Sequence, residues 1–156
     1  MRPGNQDERS SKVGFLGSNE QLIDVLVADN DFVNGEGLTH ADLAIPLLQI
    51  CQHADAERRR LKEWKSVEVE HAAIRWRVDF EEYKGFQHSP FNDQTKSNID
   101  FTLTNLESGN TLQFSGLVPI MIERYGFYEG HGTPYRVEPA DIIAVLGLST
   151  KQNVAE

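Results

Sequence analysis

The sequence predicts an α+β fold: an antiparallel sheet of about four strands with helices packed on one face. Three observations predict it. Apolar residues recur at helical spacing through residues 18–60. Between residues 67 and 115 the pattern changes to strict alternation of apolar and polar residues, the period of a half-buried strand. Each alternating run has one wet face, which fits a sheet covered on one side only.

The elements follow in order. Ser18 is a suitable helix N-cap, with Gln21 three residues on to complete a capping box. Leu22, Val25 and Leu26 then fall at helical spacing, and Ile23 and Val27 widen the face. The helix is expected to stop near Asn30, because Asn34, Gly35 and Gly37 mark Asp31–Gly37 as a loop. Thr39 is the next N-cap, with Asp42 at the capping-box position. Leu43, Leu47, Ile50, Cys51 and Ala54 form one stripe of a helix over 40–60. Pro46 removes a backbone donor there, so it either kinks one long helix or opens the main one.

Val67 and Val69 begin the period of two. Ile74, Trp76, Val78 and Phe80 continue it against Arg75, Arg77 and Asp79. These runs are close enough to pair as a hairpin, although no strong turn dipeptide joins them. Gly85–Lys96 reads as a loop with Pro90 near its centre. The unit 97–115 reads as a second hairpin around the turn Glu107–Asn110. A short helix is expected over 117–124, with Pro119 tolerated in its first turn and Gly126 ending it. Pro139 opens a last helix over 140–146, stopped by Gly147.

The 156 residues fit one domain, taken as 13–150, with a disordered N-terminal tail at 1–12 and a frayed C-terminal tail at 151–156. A lone cysteine, Cys51, excludes an intrachain disulfide and suits a reducing compartment. It lies in a helical apolar stripe and reads as a buried, inert thiol. No apolar run approaches the ~20 residues of a membrane span, and residues 1–12 carry no secretory core. A cytoplasmic protein is therefore expected. The net charge of −9 opposes general binding to nucleic acid. Arg58, Arg59, Arg60, Lys62 and Lys65 form a local basic run, read as the solvated end of a helix where cations suit the dipole.

Phosphate-binding glycine loops, metalloprotease and paired-cysteine spacings, and the serine nucleophile elbow are all absent from the sequence. The five histidines, His40, His53, His71, His88 and His131, stand on five different predicted elements or loops, so neither a metal site nor a cofactor is expected. No residue is assigned a catalytic role.

Tyr125–Arg136 is the densest unusual segment, with four aromatics, three glycines, a histidine and an arginine. Tyr125, Phe127, Tyr128 and Tyr135 offer flat surfaces, Arg136 can grip a carboxylate or phosphate, and His131 can act as acid or base near neutral pH. The segment serves equally as a structural loop that seals the end of a sheet. Gly85–Asp93 contains His88, Ser89 and Asp93, which are residue types of nucleophilic catalysis, but it reads better as a plain turn. Trp76, in phase with Ile74 and Val78, is expected in the core. Trp64, near the basic helix end, has no assigned place, and a homodimer through an edge strand or the long helix fits the composition.

The block Phe114–Pro139 (FSGLVPIMIERYGFYEGHGTPYRVEP) resembles a block in uncharacterised small bacterial proteins, some of integron gene-cassette type, and Thr39–Leu48 (THADLAIPLL) resembles a second. Those proteins have no assigned activity. The resemblance implies a bacterial, cytoplasmic accessory protein and gives no residue a role. The expected function is a non-enzymatic protein that binds a small molecule or a protein partner through Tyr125, Phe127, Tyr128, His131, Tyr135 and Arg136, with His88 nearby. One alternative is a small hydrolase or isomerase built on His88, His131 and Arg136. Another is a protein-only adaptor or regulatory partner.

Overall fold

The computed structural model describes residues 15–149. The tails expected at 1–12 and 151–156 lie outside the described residues. Helices α1 (Leu22–Gly35) and α2 (His40–Leu61) come first. Strands β1 (Ser66–His71), β2 (Ile74–His88), β3 (Lys96–Asn105) and β4 (Thr111–Ser115) follow, then helices α3 (Leu117–Tyr125) and α4 (Pro139–Leu146). The strands form one antiparallel sheet in the order β1-β2-β3-β4. This is the α+β fold the sequence predicts.

The period of two decides which face is covered. Val67 and Val69, then Trp76, Val78 and Phe80, then Phe101 and Leu103, then Leu112 and Phe114 are all buried. They form one core with Leu43, Leu47 and Ile50 of α2, Val118, Met121 and Ile122 of α3, and Ile142 and Val145 of α4. Glu68, Glu70, Arg75 and Arg77 are exposed on the other face. Among the described residues no helix is long and apolar enough to cross a membrane.

Several boundaries differ from expectation. Helix α1 begins at Leu22, with Gln21 rather than Ser18 at its N-cap and no side-chain capping bond. It runs past Asn30 to Gly35, because Asp29 and Val33 on its inner face are buried. Tertiary packing overrides the Asn34–Gly35 turn signal. Helix α2 has the predicted capping box, with Thr39 and Asp42 exchanging hydrogen bonds of 2.9 and 3.1 Å, and it continues through Pro46. Strand β2 does not end at Phe80. It passes an irregular stretch between Glu82 and Gln87 and pairs again through His88↔Lys96. Residues 81–86 are exposed throughout, so they carry no alternation for a sequence reading to find.

The basic run also divides. Arg59 and Arg60 are exposed, but Arg58 is only 2% exposed. Its guanidinium donates to Asp55 at 3.0 Å and Glu82 at 2.7 Å and lies 4.3 Å over the ring of Phe80. Arg58 thus ties the end of α2 to the sheet instead of being solvated. Cys51 packs against the core, where burial raises its pKa and keeps it a thiol.

Candidate functional site

The three segments singled out in the sequence meet around the loop that follows α3. Gly126 caps α3 at φ +67°, and a Cβ there would lie 2.6 Å from Nε2 of His40. Only glycine fits, on both backbone and steric grounds. The next residues turn inward: Phe127, Tyr128 and Glu129 have no exposed surface. The Tyr128 hydroxyl and Nδ1 of His40 share a hydrogen bond of 2.8 Å, which links the loop to the start of α2. Burial raises the pKa of Tyr128 and lowers that of His40, so this is a contact between neutral groups.

The 85–93 segment meets the loop from another side. The ring of Phe91 stacks on Tyr125 at a centroid distance of 4.0 Å and meets Phe127 edge-on at 5.4 Å. The Tyr125 hydroxyl donates to Asp93 at 2.6 Å, and the amide of Thr95 donates to Asp93 at 3.0 Å. Burial alone would raise the pKa of Asp93. Hydrogen bonds from Tyr125, Thr95 and Ser89 outweigh it and hold the carboxyl well below the usual range. Asp93 is therefore a turn-holding anion, in keeping with the plain-turn reading.

Two carboxylates fasten the outer part of the loop. Glu20 accepts from the amides of Gly17, His131 and Gly132 at 2.6, 2.8 and 3.1 Å. Burial opposes its ionisation, but these bonds win and its pKa is lowered. Successive amides of this kind form a cradle for an anion, and here the chain's own carboxylate fills it. Asp29 of α1 takes a two-pronged contact from Arg136, at 2.8 and 2.7 Å. Arg136 also donates to Glu138 at 2.8 and 3.1 Å and to the carbonyl of Glu129 at 2.8 Å. All three nitrogens of the guanidinium are engaged inside the protein. Burial works against the charge of Arg136, yet the carboxylates outweigh it and raise the pKa further.

Two side chains in this network have no hydrogen-bond partner among the described residues: both carboxyl oxygens of Glu129 are buried without one, and so is the hydroxyl of Thr133. Glu129 has a left-handed backbone, φ +71°, which is unusual outside glycine. Burial first, and the charge of Asp100 second, push its pKa up to about 8. At neutral pH the side chain is mostly a neutral acid held in the interior.

The expected site residues thus divide. Phe127 and Tyr128 are core, Tyr125 and Arg136 are committed to internal contacts, and His131 is exposed with Nε2 3.8 Å from Asp29. Tyr135 is 61% exposed, and His88 pairs with Lys96 at the end of β2. His131 and Arg136 share Asp29; no hydrogen bond or ion pair among the described residues joins His88 to them. Sequence reasoning missed Glu20, Asp29, His40, Glu129 and Thr133. Glu20, Asp29 and His40 are distant in sequence from the loop, and nothing in the pattern marks Glu129 as buried. An open apolar depression of about 520 Å³ is lined by Leu38, Ala41, Ile45, Pro46 and Leu148. Its carboxylate, Asp42, is spent on the helix cap.

In comparison with known proteins, the chain matches no protein-family model, no curated protein and no solved structure.

Proposed function

We propose that the chain is a non-enzymatic accessory protein of the cytoplasm that binds a small ligand at the inner end of the 126–136 loop. One observation carries this reading. Arg136 is matched internally, whereas Glu129 and Thr133 keep three buried polar atoms without a partner among the described residues. A buried unpaired polar group costs about 1–3 kcal/mol, and a ligand that supplies donors recovers that cost. The surroundings are acidic, with Asp29, Glu138 and Glu20 close to the same loop. An amine or amide ligand fits this chemistry better than an anion, because Glu20 already fills the anion cradle. A neutral amine opposite Glu129 would take its proton and form an ammonium–carboxylate pair.

A second reading, a small hydrolase or isomerase, is favoured by the approach of His131 to Asp29 at 3.8 Å. Against it, Arg136 has no nitrogen left for a substrate. The test is a thermal-unfolding screen of amines, amino acids and amides, with the wild type beside Glu129→Gln and Thr133→Val. A ligand that binds only the folded state adds about 2.7 kcal/mol of stability at a hundredfold excess over its Kd. The proposal expects a stabilising amine or amide whose effect falls at least tenfold in apparent affinity in Glu129→Gln. No stabilisation by any member of the panel, or equal stabilisation of both variants, contradicts it.

A further inference from the structure

A second cluster of functional side chains lies on the helix-covered side of the sheet, separate from the loop. Val67, Val69 and His71 share one parity on β1, and the two valines are buried beneath the helices. His71 therefore points to the same side, where α2 packs on β1. On α2, His53 follows Ile50 by three residues and precedes Ala54, both buried, so it stands at the border of the packed face. The two imidazoles meet there, with ring centroids 5.5 Å apart and planes at 60°. His53 is exposed and His71 half-buried, so the pair is open to solvent.

The hairpin fixes His71 in place. It lies opposite Ile74 in the β1–β2 register, and only Ala72 and Ala73 connect them, both left-handed at φ +53° and +61°. The indole of Trp76 donates to the His71 carbonyl at 3.3 Å and adds a second restraint. Burial first, and the neighbouring His53 second, lower the pKa of His71. Neutral imidazole nitrogen is the form that binds metal.

We propose that His53 and His71 form a two-histidine site for a borderline divalent transition ion such as Zn²⁺ or Ni²⁺. Imidazole suits these ions. With metal–nitrogen bonds of about 2.0–2.1 Å, two imidazoles on neighbouring positions of one ion have centroids roughly 5 Å apart, close to the separation already present. Among the described residues no group of three histidine, cysteine or carboxylate side chains forms a complete cage. Glu57, one turn along α2 from His53, is held by Arg60 through two contacts of 2.9 Å. Water completes the shell, and the site is a surface metal-binding position instead of a structural one.

The test is calorimetric titration of the full chain with Zn²⁺ alone, and separately with Ni²⁺ alone. The variants are His53→Gln, His71→Gln and, as control, His88→Gln, each checked for native thermal unfolding. The expected result is one equivalent bound by the wild type and by His88→Gln, with affinity at least tenfold weaker in each of the other two. Imidazole nitrogen resonances of His53 and His71 should move together on Zn²⁺ addition in the unmodified protein, a readout that needs no variant. Absence of binding, equal affinity in all variants, or movement of other histidines alone overturns the proposal. It stands or falls apart from the ligand reading of the 126–136 loop.

Discussion

Arg136 and Asp29 meet where each side chain is 5% exposed or less, so removing either one strands a charge in the interior. Breaking a buried pair by truncating one partner costs about 3–5 kcal/mol. Asp29→Ala is expected to lower the free energy of unfolding in urea by that order. Arg136→Lys should lose much of the same stability, because lysine cannot reproduce the planar fork that grips Asp29 and Glu138 together. A loss below about 1 kcal/mol in both variants would show that the loop does not depend on this pair. Arginine in an aromatic, glycine-rich segment reads in the sequence as a ligand clamp. Its role follows from Asp29, which is 107 residues away and is a charged residue buried on the inner face of α1, where an apolar pattern does not mark it.

At the scale of elements, the β1–β2 hairpin turns on Ala72 and Ala73, a pair with none of the usual turn chemistry. Two-residue hairpins favour Asn-Gly because both central positions need positive φ, and a left-handed residue other than glycine costs about 1–2 kcal/mol. Ala73→Gly is expected to stabilise the protein by about 1 kcal/mol in denaturant unfolding, after the extra entropy of glycine in the unfolded chain is deducted. A destabilised variant would mean that the turn is not left-handed in solution. The sheet was legible because alternation at Val67–Val69 and Ile74–Phe80 needs no knowledge of the turn. The far half of β2 was not, since exposed residues on both sides of a bulge give no period. The basic run misled for a related reason. Composition cannot separate Arg58, which covers Phe80, from Arg59 and Arg60 beside it.

Across the whole molecule, α1, α2, the 85–95 segment and the loop after α3 close on one place, where among the described residues the Glu129 carboxyl and the Thr133 hydroxyl are left without hydrogen-bond partners. The sequence singles out this loop but not this atom, because burial of a single carboxyl is a property of the assembled fold. That burial has a pH consequence. The folded pKa of Glu129 is raised from an ordinary 4.5 to about 8. Folded Glu129 thus keeps its proton where the unfolded chain has lost it. The stability it contributes is full below pH 4.5 and is lost as pH rises through about 8, at up to about 1.4 kcal/mol per pH unit. The direct measurement is a carbon-13 NMR titration of the Glu129 side-chain carboxyl between pH 4 and 9, alone and with the most stabilising amine. A midpoint near 8 alone, moving down when the amine is present, is the predicted result. A midpoint near 4.5 in the free protein would contradict the account, because Glu129 would then be an ordinary solvated carboxylate and not the unpartnered acid of a binding site.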